Sequence, residues 1–162
     1  MSNLLADNLI NLLTPQGFSH TLIITVGNCF RADDGAGPYI AACLKQSSKL
    51  SVIDAGYTPE NIIDQAVKLS AQRIIFIDAA DFNGTPGELR LIDSEHIPQS
   101  SLSTHSMPLP VISRILYEDT KAKIYFIGVQ PESVEHKEGL SGEVQIAADA
   151  LIKHINQEFK DA

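Results

Sequence analysis

The chain has 162 residues with a formal net charge of -8, and 44% of its residues are hydrophobic. A chain of this length buries roughly two thirds of its unfolded surface, so we expect a single domain over residues 1–162. The acidic charge argues against nucleic acid as a partner, because a basic surface is needed to replace phosphate counterions. No apolar run approaches the roughly 20 residues that cross a bilayer, and no signal-peptide pattern opens the chain. We therefore expect a cytoplasmic protein with no membrane partner.

Runs of apolar residues divide the chain into alternating strands and helices. The runs at 21–26, 73–78 and 123–129 are typical of strands buried on both faces of a parallel sheet. In chain order, the expected elements are a helix at 3–13 within an N-terminal extension of residues 1–20, a strand at 21–26, a helix at 35–46, a strand at 51–54, a helix from Thr58 to Leu69 with Thr58 as its N-cap, strands at 73–78 and 88–92, a helix at 108–118, a strand at 123–129 and a helix at 141–159. This order predicts an α/β fold, a three-layer α/β/α sandwich whose twisted sheet of about five strands is mostly parallel and has helices on both faces.

Two adjacent aspartates, Asp33 and Asp34, open a glycine-rich helix start within the stretch TLIITVGNCFRADDGAGP at 21–38. In open α/β sheets, the ligand crevice lies beyond the carboxyl ends of the strands, and both acids belong at that edge. The glycine pattern is neither GxGxxG nor a P-loop, and two carboxylates at a helix start would repel a pyrophosphate. The stretch therefore does not predict a nucleotide site.

Asp78 ends the predicted strand at 73–78, and we expect it to lie near Asp34 in the same crevice. Neighbouring carboxylates repel each other unless a proton or a cation lies between them. His105 follows a polar linker at 98–104 and would supply a nitrogen ligand. Two carboxylates and an imidazole suit a divalent transition ion better than they suit Mg²⁺, so these three residues form a candidate metal site.

Other interpretations of these residues stay open at this level. Each acid taken alone is more simply a cap of a helix or loop, and His105 is equally consistent with an exposed loop position. A Mg²⁺-dependent phosphotransfer domain would also use strand-end aspartates. The final strand ends in IGVQPE, however, with no lysine to stabilise a departing phosphoryl oxygen.

Six segments occur in an order that is typical of one protein family: VGNCFRADDGAGP at 26–38, VIDAGYTPEN at 52–61, IIFIDAAD at 74–81, PGELRLID at 86–93, THSMPL at 104–109 and FIGVQPESVEHKEGLSGEV at 126–144. From about Leu22 to Ile155, the chain resembles the hydrogenase maturation proteases. These endopeptidases trim the C-terminus of the large subunit of nickel-iron hydrogenases. TPEN and THSMPL are most similar to the branch that serves formate-hydrogenlyase-type hydrogenases.

The resemblance implies that Asp34, Asp78 and His105 form a metal-binding and catalytic triad. In the family, this triad is thought to recognise nickel that is already inserted into the precursor. The implied nickel is therefore carried by the substrate, and no tightly bound resident metal is expected. Three ligands from separate loops hold a metal only weakly without the ligands of the substrate.

The resemblance also implies a set of supporting residues. Asp33 and Asp54 match acids that recur in the family motifs, and we expect them to support the loop and substrate docking, with Asp33 as the structural cap of the pair. Gly27 and Asn28 open the same loop and are assigned with them. The family often has Asp-Gly-Gly after the second strand, where this chain has Asp-Ala-Gly at 54–56.

The cysteines of the chain, Cys29 and Cys43, are too far apart for a CxxC motif and are expected to be reduced thiols. Cys43 is predicted to lie on the apolar side of its helix. Cys29 belongs to the loop from Cys29 to Ala32, which we expect to contact the substrate.

The function implied by the resemblance is that of a cytoplasmic, monomeric endopeptidase that removes the C-terminal extension of a nickel-loaded large-subunit precursor. The sequence contains no HExxH helix, and no Ser-His-Asp or Cys-His-Asn pattern offers a better nucleophile. The alternative from another class is a metal-sensing, chaperone-like module that binds the precursor without cutting it. The phosphotransfer domain remains the third interpretation.

Overall fold

The structure is a computed structural model that describes residues 5–93, 96–97 and 107–161. Its helices and strands, in chain order, are α1 (Asp7–Leu12), β1 (Thr21–Thr25), α2 (Ala36–Cys43), β2 (Leu50–Asp54), α3 (Ile63–Lys68), β3 (Arg73–Ala79), β4 (Leu89–Ile92), α4 (Leu109–Thr120), β5 (Lys123–Val129) and α5 (Gly142–Glu158). Short 3-10 turns at Ala32–Gly35 and Pro59–Ile62 precede α2 and α3. The order of elements matches the order predicted from the sequence.

The strands form one five-stranded sheet in the order β2-β1-β3-β5-β4. The pairs β1–β2, β1–β3 and β3–β5 are parallel, and only β4 among these strands runs antiparallel, along the edge formed with β5. The chain leaves β1 for β2 on one side and returns to β3 on the other. The topological switch point, where α/β sheets bind ligands, therefore lies between β1 and β3.

Two apolar layers cover the sheet, one on each face. Side chains of α1, α2 and α5, including Leu9, Ile40 and Leu151, pack in one cluster. Side chains of α3 and α4, including Ala66 and Ile112, pack in the other. All residues of β1 and β3 are buried, because both strands lie inside the sheet and are covered on both faces. The predicted three-layer α/β/α fold is confirmed. None of the helices in the described ranges is long and apolar enough to cross a membrane.

The predictions around the helix ends hold only in part. Thr58 occupies the predicted N-cap position before Pro59, but it makes no side-chain cap bond among the described residues, because its backbone (φ -129°, ψ 65°) lies outside the extended region typical of an N-cap. The helix instead opens through a 3-10 turn, in which the N–H of Asn61 donates to the carbonyl oxygen of Thr58 at 3.0 Å. The helix predicted at 35–46 ends earlier, at Cys43. Cys43 was predicted to lie on the apolar side of this helix, but it is exposed.

The N-terminal segment is part of the core from Leu5 onward. Leu5, Leu9 and Leu13 are all buried in the cluster that includes α5. The carbonyl oxygen of Leu13 also lies 3.1 Å from Nε2 of His154 in α5. The segment therefore contributes to the layer that covers one face of the sheet.

A buried arginine attaches this segment to the sheet at the amino end of β3. The guanidinium of Arg73 donates to the carbonyl oxygens of Leu12 (2.7 Å) and Thr14 (2.6 Å) and to Oγ1 of Thr21 (3.0 Å from Nε). It also lies 4.3 Å from the centroid of the Phe18 ring. Burial lowers the pKa of Arg73, since desolvation disfavours the charged form. These bonds compensate for placing the charge in the interior.

Replacing Arg73 by lysine should destabilise the protein, because one ammonium group cannot reproduce the planar fork that reaches three acceptors. We expect the Arg73→Lys variant to lose about 2–4 kcal/mol of unfolding free energy in urea denaturation. The matched control is Arg90→Lys, since Arg90 also stacks on a ring, that of Phe82 at 4.3 Å, but its side chain is 49% exposed. The control should lose less than about 1 kcal/mol. Equal losses of unfolding free energy in the two variants would show that the buried contacts of Arg73 stabilise the protein no more than the exposed contacts of Arg90 do.

Candidate acidic site at the carboxyl edge of the sheet

The predicted acids lie at the switch point of the sheet. The 3-10 turn Ala32–Gly35, here called the acidic turn, contacts β3. Both Asp34 in this turn and Asp78 in β3 are buried, with exposures of 0% and 1%. Ionised carboxylates buried at one edge are costly unless a proton, a cation or hydrogen-bond donors compensate them. The predicted cation site would lie at this edge.

The residues that precede the acidic turn hold Asp34 in place. The backbone N–H of Asn28 donates to Oδ2 of Asp34 at 3.0 Å. Gly27 has a φ of +146°, and a Cβ atom there would lie 2.0 Å from the carbonyl oxygen of Asp34. The N–H of Gly27 donates to the carbonyl oxygen of Gly56 at 2.7 Å. Only glycine fits position 27, since any side chain would displace the backbone of Asp34.

The carboxylate of Asp33 binds a distant loop, whereas the side chain of a helix cap binds the first backbone amides of its own helix. Its carboxylate accepts hydrogen bonds from the N–H groups of Glu132 (2.9 Å), Ser133 (3.1 Å) and Ser141 (2.7 Å), and from Oγ of Ser141 (2.8 Å). All of these donors belong to the β5–α5 loop, residues 130–141. Asp33 therefore fixes that loop against the acidic turn, whereas a cap would bind the first amides of α2.

Asp54 differs from the buried acids in its exposure and its contacts. It ends β2 with an exposed side chain. Its Oδ1 accepts hydrogen bonds from Oγ1 of Thr25 (3.2 Å) and from the N–H of Gly56 (3.0 Å). The N–H of Ala55, where the family often has glycine, donates to the carbonyl oxygen of Thr25 at 2.8 Å. The contacts of Asp54 are those of a residue that stabilises the turn after β2.

The third member of the predicted triad, His105, lies outside the described residues. Within residues 5–93, 96–97 and 107–161, no three side chains of histidine, cysteine, aspartate or glutamate are grouped to hold a metal ion. The structure thus places Asp34 and Asp78 at one edge of the sheet. The triad as a set remains a prediction.

Gln130 is a buried polar residue that was not among the predicted site residues. Its Oε1 accepts hydrogen bonds from the N–H groups of Phe82 (2.9 Å) and Gly84 (3.0 Å), and its Nε2 donates to Oδ1 of Asp81 (3.2 Å). The amide of Asn83 and the side chain of Gln130 together lower the pKa of Asp81. Gln130 thereby orders the loop after Asp78. A polar residue directly after the buried strand KIYFIGV was the available signal.

The fold and the buried acids define an α/β protein with an acidic site at the switch point of its sheet. A family model described as hydrogenase maturation protease matches residues 38–158. The hydrogenase 3 maturation protease of Escherichia coli K12 is 33% identical over 137 residues, which is 83% of this chain and 87% of that protein. The chain belongs to the hydrogenase maturation protease family, and its class is that of a peptidase.

Solved structures agree with this assignment. A NiFe hydrogenase maturation protease from Thermococcus kodakarensis KOD1 matches with a TM-score of 0.84 at 26% identity, over 96% of this chain and 100% of that one. The solution structure of an Escherichia coli endopeptidase matches with a TM-score of 0.76 at 31% identity, over 85% of this chain and 90% of that one. Since the first match covers 96% of this chain, it includes most of residues 1–20. The N-terminal segment is therefore not peculiar to this protein.

Replacing Asp33 by asparagine should loosen the β5–α5 loop, because an amide presents N–H donors where the carboxylate accepts hydrogen bonds. We expect the Asp33→Asn variant to lose about 2–4 kcal/mol of unfolding free energy. The control is Asp54→Asn, whose exposed carboxylate should account for less than about 1 kcal/mol. Limited proteolysis should also cut the variant within residues 130–141 before other sites. A variant as stable and as resistant as the control would contradict the role assigned to Asp33.

Proposed function

We propose that this protein is an endopeptidase that removes the C-terminal extension of a nickel-iron hydrogenase large-subunit precursor after nickel insertion. The observation that carries the proposal is the burial of Asp34 and Asp78 at the switch point of the sheet. It occurs in a chain that belongs to the hydrogenase maturation protease family. The protein acts as a monomer in the cytoplasm.

The proposed substrate brings its own nickel to the site. Asp34, Asp78 and His105 bind this nickel, and the two carboxylates favour a divalent cation because it relieves their mutual repulsion. The free protein holds the metal weakly, since loops distant in sequence contribute the ligands and the precursor supplies the others. Recognition therefore depends on metal loading, and an empty precursor lacks the group that the acids bind.

Binding the substrate-borne nickel aligns the adjacent peptide bond for hydrolysis. Fixing a scissile bond next to a water molecule removes much of the entropic cost of the reaction. The nickel or a neighbouring carboxylate activates that water. The hydroxyl of water is added to the carbonyl carbon, and its proton goes to the leaving amine. The products are the mature large subunit and the released C-terminal peptide.

The role of the two acids in cleavage is tested with the isosteric substitutions Asp34→Asn and Asp78→Asn, with a nickel-loaded precursor as substrate. Each variant should cleave at least about 100-fold more slowly than the wild type, because the amide neither binds the cation nor activates water as the carboxylate does. His105→Ala should have a similar effect. Cleavage is measured by mass spectrometry of the released peptide, and folding by circular dichroism.

The control for these variants is Asp119→Asn. Asp119 is exposed near the end of α4, at the edge of the sheet where β5 begins, so its loss should leave cleavage unchanged. Folded Asp34→Asn and Asp78→Asn variants that cleave at the wild-type rate would refute the assignment of these acids. A wild-type protein that binds the loaded precursor without cutting it would instead favour the non-cleaving, metal-sensing module.

A further inference from the structure

An open groove with a volume of about 490 Å³ lies beside the acidic turn. One part of its lining consists of Cys29, Ala32 and Gly35. Another part consists of Gly139 and Leu140, at the end of the β5–α5 loop. These side chains are small or apolar, and Glu138 is the one charged residue in the lining, so the groove offers mainly carbon surface. Its volume is within the roughly 300–1,000 Å³ of sites that bind organic ligands, which suits a short peptide segment better than an ion.

Backbone hydrogen bonds join the acidic turn to the β5–α5 loop, which form the two parts of the lining. The N–H of Ala32 donates to the carbonyl oxygen of Lys137 at 2.8 Å, and that of Asp33 donates to the carbonyl oxygen of Ser133 at 3.0 Å. The carboxylate of Asp33 adds its hydrogen bonds to the same loop, as described above. The groove is therefore formed before a ligand arrives, which reduces the entropic cost of binding.

Two polar residues of the lining, Tyr39 and Gln145, are held by hydrogen bonds. Tyr39 and Gln145 contribute to the lining, and both bind Asp149 of α5. The hydroxyl of Tyr39 donates to Oδ1 of Asp149 at 2.6 Å, and Nε2 of Gln145 donates to the same oxygen at 3.2 Å. The first bond connects α2 with α5, and the second lies within α5. The lining thus combines apolar surface with fixed polar side chains, as is common in peptide and ligand sites.

The groove adjoins the acids of the proposed site through the chain itself. Gly35, in the lining, follows Asp34 directly, and consecutive Cα atoms are about 3.8 Å apart. An extended peptide advances about 3.3 Å per residue, so a chain bound at Asp34 reaches the groove within a few residues. Phe30, next to Cys29, is 60% exposed and extends the apolar surface beyond the groove.

We propose that this groove binds apolar side chains of the precursor next to the scissile bond and thereby selects the bond that is cut. The inference rests on the proposed endopeptidase function and assigns the groove as its specificity site. The nickel recognised by the acids marks the precursor as loaded. The groove then fixes which peptide bond lies beside them, because burying apolar side chains is favourable only in one register of the peptide.

The chain offers a probe for occupancy of the groove. Its cysteines are both exposed thiols, and Cys29 lines the groove, whereas Cys43 lies at the far end of α2. In a Cys43→Ser variant, a synthetic peptide that spans the cleavage site of the precursor should slow alkylation of Cys29 by N-ethylmaleimide. The expected slowing is about tenfold at a peptide concentration near ten times its Kd. The same peptide should not protect Cys43 in a Cys29→Ser variant.

The chemistry of the ligand is tested with an altered peptide. Replacing the apolar residues next to the scissile bond by serine should abolish protection of Cys29. Equal protection by both peptides, or none by either, would overturn the inference. Protection of Cys29 that rises with enzyme concentration in the absence of peptide would assign the groove to a second copy of the chain, and would also overturn it.

A second measurement asks whether blocking the groove affects cleavage. The Cys43→Ser enzyme is converted to a small thioether with N-methylmaleimide or to a bulky one with N-benzylmaleimide, and excess reagent is removed. The bulky adduct should lower kcat/KM for the nickel-loaded precursor at least about tenfold more than the small adduct does. The control is Cys29→Ser enzyme alkylated at Cys43, which should match the same variant without alkylation. Equal rates for the two Cys29 adducts would contradict the proposal.

The two proposals fail in different ways. Peptide protection of Cys29 without cleavage of the loaded precursor would retain the groove as a binding site and reject the endopeptidase. Cleavage by the Cys43→Ser enzyme without protection of Cys29 would retain the endopeptidase and reject the groove as its specificity site.

Discussion

The hydrogen bonds accepted by the carboxylate of Asp33 are the interaction on which the carboxyl edge of the sheet depends. This carboxylate accepts four hydrogen bonds from the β5–α5 loop, while the next residue in the chain, Asp34, is buried at the switch point of the sheet. A single pair of adjacent acids thus divides two tasks. One acid holds a loop that begins about a hundred residues later, and the other belongs to the proposed metal site. Hydrogen bonds to a carboxylate are among the stronger ones in proteins, so Asp33 holds the β5–α5 loop firmly against the acidic turn.

The sequence alone predicted the parts of this edge that follow from local patterns. The uninterrupted apolar runs of β1 and β3 indicated buried parallel strands, and Asp78 could be placed at a strand end because the run stops there. The position of Asp34 followed from the glycine-rich turn after β1. The alternation of residues 88–92 indicated the strand β4, but not its antiparallel direction or its place at the edge.

The parts that the sequence did not predict depend on contacts between distant segments. Asp33 binds residues that are 99 to 108 positions away, and no spacing rule connects them. Arg73 looked like the polar start of a strand, yet it is buried and holds the N-terminal segment to the sheet. Thr58 lies at the predicted N-cap position, but the backbone of the 3-10 turn leaves its side chain without a cap bond among the described residues. Local propensity is overruled in these cases by tertiary contacts.

Under the proposed function, two features of the site keep the enzyme from cutting the wrong substrate. The buried acids at the edge of the sheet bind the cation that the precursor brings, and the proposed groove binds peptide without activating it. Cleavage then requires both a loaded metal and a matching segment. The metal and the segment each contribute a small binding free energy, and the two contributions together give specificity.

The central claim is that nickel carried by the precursor is what the acids recognise. The most direct measurement compares cleavage of one precursor preparation before and after nickel loading by the same enzyme, with Zn²⁺-loaded and metal-free samples alongside. The account predicts cleavage of the nickel-loaded precursor at a rate at least about 100-fold above that of the metal-free one. Equal cleavage of the loaded and the empty precursor would contradict it.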